Sequence, residues 1–430
     1  MTEAGGGAVI LVERAADLLA VAARCARAEA IALDVEANGL HAYRPKLCVM
    51  QLAWREGDEP RVAVIDPLAT SPGPLAEVLS EAGPVKVLHD LAFDARMLEE
   101  AALPLGNVRD TSVAARLLGY TSSGLAALLD VELGIKLDKH FQQHDWSERP
   151  LRPDQLRYLA NDVQYLLELD ERLAEKARAL DIEDEIAAEC AYRLEASSKP
   201  PRDTRPTYVR VKGAAALDPA GRAVLKRLCE ARDAAATRAD VPPFKIVSNE
   251  SLLALARVRP KTAGEVASRV GGGRAGRLAA AWLRAIEQGL LEGDVPEEER
   301  ALFEPVRMER SVVARRKAIE GRVTGWRRAE AKRRGVDEQV VLPGHCAQAL
   351  VGVLAGRDPG SPDLLEAIAR IPGLGRKRFE RYAGALSKLN EGIAGPAGDE
   401  GEAGVLAREG SAGGAIDGDG SPSDSGEPLG

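Results

Sequence analysis

The sequence predicts an α/β domain built on a mixed sheet with flanking helices, followed by two small all-α domains. Three observations carry this reading. Strand-like and helix-like runs alternate through residues 1–197. Three of the strand-like runs follow one another too closely for helical crossovers, which requires antiparallel pairs within the sheet. Beyond residue 210 the strand signal stops and one helical pattern occurs twice, offset by 95 residues when Val241 is aligned with Val336.

Strands are expected at 30–36, 46–54, 61–66 and 85–89, where β-branched and aliphatic residues dominate. Apolar residues at helical spacing predict helices at 14–28, 74–82, 91–102, 110–119, 123–131 and 153–179. Residues 198–209 read as a linker, because SKPPRDTRP places three prolines in nine residues. The first helical domain is expected at 210–291 and the second at 310–391. Each opens on an Arg-rich helix (GRAVLKRLCEARDAAATRADV; ARRKAIEGRVTGWRRAEAKRRGV). Each ends with a Gly-rich turn (VGGGRAGRL; IPGLGRKRF) before a last helix. An acidic linker, 292–309, joins them. The tail, 392–430, is rich in Gly, Ser, Pro and acids and is expected to be disordered.

Charge follows the same divisions. Residues 1–200 hold 21 Lys+Arg and 34 Asp+Glu, a net −13; residues 201–390 hold 36 and 23, a net +13; residues 391–430 hold 1 and 9, a net −8. A basic block of that size is the footprint expected of a polyanion binder. No apolar stretch is long enough to span a bilayer, so no membrane partner is expected. The N-terminus lacks a basic n-region, so no signal peptide is expected. Five widely spaced cysteines with no CxxC pair argue against a zinc site or a disulfide framework, and for a reducing cytoplasm. The GGG at 271–273 lacks a following GK[ST], which excludes a Walker A loop.

The chemistry sits in IALDVEANGL, residues 31–40. Residues i and i+2 of a strand share a face, so Asp34 and Glu36 present two like charges side by side. That is costly unless a cation neutralises them. Asp94 falls in the first turns of a helical run after VKVLH, and Tyr158 and Asp162 stand at i and i+4 of one helix face. Such hard oxygen ligands suit Mg²⁺ or Mn²⁺. Two such ions about 3.5–4 Å apart can cleave a phosphodiester by activating water and stabilising the leaving 3′ oxygen. The tyrosine hydroxyl, with a pKa near 10, stays protonated and can orient that water.

The ordered set ALDVE, KLCVMQLA, KVLHDLAFDARML and WSERPLRPDQLRYLANDVQYLLEL resembles the tyrosine branch of the DEDD (DnaQ-like, RNase H-like) exonucleases, and within it the ribonuclease D family. The two helical repeats resemble the tandem HRDC domains of that family. The resemblance spans about 30–390. It implies two divalent cations held by Asp34, Glu36, Asp94 and Asp162, with Tyr158 completing the catalytic set. It also implies 3′→5′ exoribonuclease activity on tRNA precursors and other small structured RNAs, with release of nucleoside 5′-monophosphates. The alternatives are the same chemistry on DNA, a non-catalytic RNA-binding scaffold, and a carboxylate-rich metal phosphatase.

Other residues have two readings each. His41 contacts the terminal nucleotide, as the resemblance suggests for its loop, or is an ordinary surface histidine. Leu40 is a candidate wedge against the last base. Gln51 contacts substrate or satisfies buried backbone. Arg149 is a candidate phosphate contact, whereas Trp146 reads as packing. The Gly-rich turn before Arg376, Lys377, Arg378 and Arg381 can cradle a phosphate, or is a structural turn with a solvated basic face. Asp90 is expected to cap the helix that follows it, and Asp110 likewise. Ala37 stands where many members of the superfamily have a hydroxyl residue, which removes one substrate contact.

Overall fold

The computed structural model describes residues 3–4, 7–137, 140–199, 203–304 and 308–393. Nearly all of the predicted tail, from 394 on, lies outside them. A seven-stranded sheet forms the first domain, in the order β1-β2-β5-β4-β3-β6-β7. The strands are β1 (Glu3–Ala4), β2 (Gly7–Val12), β3 (Ala30–Ala37), β4 (Leu47–Glu56), β5 (Glu59–Ile65), β6 (Val85–Leu88) and β7 (Val108–Asp110). The pairs β3–β4 and β4–β5 are antiparallel, while β2–β5, β3–β6 and β6–β7 are parallel. The sheet is mixed, as the spacing of the strand-like runs requires. The strands at the two ends of the order, β1, β2 and β7, are additions to the expected four. β7 has three residues, too few to display an alternation.

Helices cover both faces. Here α1 is Ala15–Cys25, α2 Ala92–Glu100, α3 Thr111–Leu117, α4 Leu125–Leu133, α5 Pro153–Gln164, α6 Leu166–Ala179 and α7 Glu183–Ser197. Strand side chains alternate between two cores. Leu33, Val35 and Leu52 pack with Leu18 and Val21 of α1 and Ala95 and Leu98 of α2. Ala32, Val49 and Val64 face the other way, against Leu156, Leu159 and Val163 of α5 and Leu166 and Leu169 of α6. The single helix expected over 153–179 breaks at Tyr165 (φ −106°, ψ −4°). The break lets α6 lean on β3 and β6 while α5 lies over β4 and β5.

Helix α7 has no counterpart among the predicted elements. Its buried positions are Glu185, Glu189 and Cys190, so its inward face is acidic and the apolar stripe that betrays a helix is missing.

The remaining chain is helical. The first region contains α8 (Pro219–Ala239), α9 (Asn249–Val258), α10 (Ala263–Val270) and α11 (Ala279–Glu292). The second contains α12 (Arg310–Arg334), α13 (Gly344–Ala355), α14 (Leu364–Ala369) and α15 (Arg376–Leu386). The ends of α8 and α12, at 239 and 334, are 95 residues apart, and so are the starts of α9 and α13, at 249 and 344. Each region has its own core, around Leu228 and Trp282 in the first and Ile319 and Tyr382 in the second. All five cysteines are buried and unpaired. No helix among the described residues is long and apolar enough to cross a membrane.

Candidate active site

Strand β3 lies inside the sheet and carries Asp34 and Glu36 on the face covered by α5. Leu156, Leu159 and Val163 anchor α5 there, and that anchoring brings Asp162 down onto the strand. One carboxylate oxygen from each of Asp34, Glu36 and Asp162 lies within 4.8 Å of the others. Past Ala32, β3 is no longer paired with β6. There the Val35 N–H donates to Asp94 Oδ1 at 3.1 Å. Asp94 therefore fixes the strand between the two acids.

Burial without a counter-charge drives every one of these groups toward its protonated form. The Asp34 carboxyl is pushed up to about 7 by desolvation. Glu36 rises to about 9, through burial first and then the charges of Asp34 and Asp162. Asp162 rises to about 8, through burial and then Asp34. Asp94 is raised by burial and then by Asp34. An all-oxygen donor set with uncompensated like charges fits a hard divalent cation. Asp34, Glu36 and Asp162 are the residues positioned to hold it.

These shifts have a consequence for stability. The folded pKa values lie above the ordinary carboxylate values, so the folded state binds more protons than the unfolded chain. Stability therefore falls as pH rises from about 4 through about 9. The melting temperature of metal-free protein should drop between pH 6 and pH 9, and Asp34→Asn should flatten much of that drop. Mg²⁺ should raise the melting temperature more at pH 9 than at pH 6, because binding at low pH must first displace protons. Thermal unfolding in EDTA and in Mg²⁺ at the two pH values measures this; equal Mg²⁺ shifts at both would exclude it.

Tyr158 precedes Asp162 by one turn of α5. Its ring stacks on Trp146 (centroids 5.9 Å apart, 27° between planes) and meets Phe141 edge-on at 5.6 Å. Such pairs hold a ring in one orientation. Trp146 packs, as expected, and what it packs is the tyrosine. Phe141 has no place in the sequence reading. Its signal was the concentration of aromatics near 141–158 in a chain that is only 4% aromatic. Asp110 caps α3 through the N–H groups of Ser112 and Val113, as expected. It also accepts from the N–H groups of Asp90 and Leu91, which tethers the segment leading to Asp94.

Several expected substrate contacts are placed elsewhere. Arg149 is a structural residue. Its guanidinium grips both oxygens of Asp66 (2.5 and 2.8 Å) and donates to the carbonyls of Cys48, Trp146 and Glu148, which uses its full donor set. Arg378 is 1% exposed and donates to the carbonyls of Val340, Gly373, Leu374, Glu185 and Gln339. Lys377 binds Asp181 at 2.7 Å, and Arg381 binds Asp181 and Glu185 at 3.1 Å each. These side chains tie the second helical region to α7 and to Asp181 just before it, and the charges of Lys377 and Arg381 are already matched, by exposed Asp181 and buried Glu185. The Gly-rich turn is no phosphate cradle either. A Cβ on Gly373 would come within 2.9 Å of the Tyr192 ring, and one on Gly375 within 2.8 Å of Ala188. Helix α7 occupies that space. Arg376 stays exposed and pairs with Glu380.

Asp90 does not cap α2. It takes a left-handed conformation (φ 65°), which Asp tolerates, and the N-cap position belongs to Leu91 without a side-chain bond. His41 Nε2 donates to the Gln143 carbonyl at 3.0 Å, and its Nδ1 lies 3.5 Å from Lys245 Nζ. Leu40 is 46% exposed beside it. Gln51 sits directly across from Asp34 in the β3–β4 register and is fully buried. Neither its Oε1 nor its Nε2 has a hydrogen-bond partner among the described residues.

The chain matches the model of a 3′-5′ exonuclease family over residues 9–178 and that of the HRDC domain over residues 221–286. It is 36% identical over 248 residues to ribonuclease D of Pseudomonas paraeruginosa, covering 55% of this chain and 62% of that protein. It is 30% identical over 309 residues to ribonuclease D of Granulibacter bethesdensis, covering 66% of this chain and 73% of that protein. The chain thus spans less than two thirds of the Pseudomonas relative. Among solved structures it resembles Escherichia coli RNase D with a TM-score of 0.63 at 24% identity, over 89% of this chain and 98% of the other. That protein is described as an exoribonuclease involved in structured RNA processing.

Proposed function

The chain belongs to the ribonuclease D family, and from that premise we propose that it is a metal-dependent 3′→5′ exoribonuclease. It trims tRNA precursors and other small structured RNAs in the cytoplasm and releases nucleoside 5′-monophosphates. The observation that carries the reading is the convergence of Asp34, Glu36 and Asp162 within 4.8 Å, with Tyr158 one turn before Asp162.

When bound, two Mg²⁺ or Mn²⁺ ions supply Lewis acidity toward the attacking water and the departing 3′ oxygen. Asp34, Glu36, Asp94 and Asp162 would hold the cations; Asp94 stands outside the group of three whose oxygens converge and also keeps β3 in register through the Val35 N–H. The Tyr158 hydroxyl hydrogen-bonds the attacking water and orients it toward phosphorus, while Trp146 and Phe141 keep the ring still. An O–P bond forms from that water as the P–O3′ bond breaks. The terminal nucleotide leaves as its 5′-monophosphate, and the shortened strand retains a 3′-hydroxyl.

The HRDC domain at 221–286 belongs to a unit of 210–291 in this reading. The region 310–391 is a second HRDC domain, supported by the 95-residue repeat of helix ends. Together they give the acidic catalytic domain a basic surface for RNA. Digestion of 3′-labelled RNA and DNA side by side, with Mg²⁺ and with EDTA, tests the proposal. Stepwise release of 5′-monophosphates from RNA, abolished by EDTA, is the expected result. Faster digestion of DNA would transfer the activity to that substrate, and hydrolysis that survives EDTA would overturn the mechanism.

A further inference from the structure

We propose that Gln51 is a positioning residue of the acid cluster: its side-chain amide donates a hydrogen bond to the Asp34 carboxylate and holds that carboxylate in the orientation that binds a divalent cation. The inference rests on the nuclease reading above and adds to it a residue that touches neither substrate nor metal.

Burial excludes both roles that the sequence leaves open for this side chain. Gln51 is 0% exposed, so no substrate reaches it. Its amide satisfies no backbone group either. Among the described residues it is the one side chain with two polar atoms, Oε1 and Nε2, both buried and without a hydrogen-bond partner. Buried amides in native proteins are bonded, because an unpaired one gives up its hydration and gains nothing in return. A methionine or leucine would fill the same space without that cost. An amide kept at this point of the sheet therefore has a partner in the working state of the protein.

Register identifies that partner. Gln51 stands directly opposite Asp34 in the antiparallel β3–β4 pair and opposite Val64 in the β4–β5 pair. Directly opposed residues share a face with Cβ atoms about 4.5–5.5 Å apart, and diagonal ones, about 7–8 Å away, are still within reach of a long side chain. On this face the neighbours along β4 are Val49 and Ala53, and α5 covers it with Leu159 and Val163, all apolar. The diagonal positions are Ala32 and Glu36 on β3, and Val62 and Asp66 on the side of β5. Asp66 already has both oxygens held by the Arg149 guanidinium. What remains for the Gln51 N–H groups is the Asp34 carboxylate directly opposite, with Glu36 on the diagonal. A donor at that point fixes which way the carboxylate oxygens face, and a ligand held in its binding orientation takes up a cation more tightly.

The test uses the full-length protein and Mn²⁺ alone, with the free ion measured by its electron paramagnetic resonance signal. Asp34→Ala defines the component of Mn²⁺ binding that belongs to the acid cluster. Gln51→Met replaces the amide by an apolar chain of similar length and should weaken that component about 10- to 100-fold, the range for losing a group that orients a metal ligand. Gln51→Leu, which is branched and shorter, should show the same loss, which separates the missing amide from a change of shape. On RNA, kcat at limiting Mg²⁺ should fall in both variants with KM for RNA unchanged. Raising Mg²⁺ should recover most of the turnover, because all four carboxylates remain. An unchanged Mn²⁺ affinity in the two variants overturns the proposal, and a lowered melting temperature beside it would make Gln51 a packing residue. A weakened affinity in a protein whose wild type shows no EDTA-sensitive hydrolysis would keep the assignment and sink the nuclease reading instead.

Discussion

Asp34→Ala should abolish metal-dependent hydrolysis, a loss greater than about 10³-fold, and leave RNA binding largely intact. The expected loss exceeds what one positioned hydrogen bond contributes, because the proposed mechanism makes the carboxylate both a ligand and part of the charge that draws the cation in. Its oxygen lies within 4.8 Å of those of Glu36 and Asp162, so its removal opens the donor set at its centre. Binding should survive, because the basic helical regions proposed to hold RNA are untouched. The variant should also separate function from stability. Asp34 contributes to raising Glu36, Asp94 and Asp162, so the isosteric Asp34→Asn should melt higher than wild type in EDTA at pH 8. Improved stability with lost activity is the signature of a site that holds strain for its ligand. Turnover of RNA in a Mg²⁺ titration and melting in EDTA measure the two effects; near-normal turnover in Asp34→Ala would remove the residue from the mechanism.

Tyr158→Phe should lower kcat by about 10²–10³, the range for one positioned catalytic group, with little change in KM. The ring keeps its stacking on Trp146 and its edge contact with Phe141, so the fold and the position of α5 should be unchanged. Only the hydroxyl proposed to aim the water is lost. A hydroxyl that merely supported the fold would show its absence in the melting temperature and leave kcat alone. Steady-state kinetics beside a thermal melt therefore distinguish the roles, and an unchanged kcat would assign the orientation of water to another group.

Much of the acid–tyrosine cluster was legible in the sequence alone. The two-residue period of a strand puts Asp34 and Glu36 on one face, and the 3.6-residue period of a helix puts Tyr158 above Asp162. Both are local rules that a short window contains. The 95-residue recurrence of the helical pattern is similarly visible, because each repeat reports its own helix ends. What the windows lacked were partners far away in the chain. Arg149 and Asp66 are 83 residues apart, and Arg381 and Glu185 are 196 apart. A free arginine and a paired one look alike in sequence, so basic residues at 149, 377 and 378 resembled phosphate contacts.

Helix α7 shows the same limit from the acidic side. Its buried Glu185 and Glu189 break the apolar stripe, yet Glu185 is matched by Arg381 from a region nearly two hundred residues later. Phe141 acquires its role only when the loop at 141–146 folds against α5. Local periodicity, set by backbone geometry, determined the four central strands, most helices and the acid–tyrosine motif. Charge pairing and burial join residues that only the folded chain brings within a few ångströms, and those two effects decided which arginines hold the molecule together.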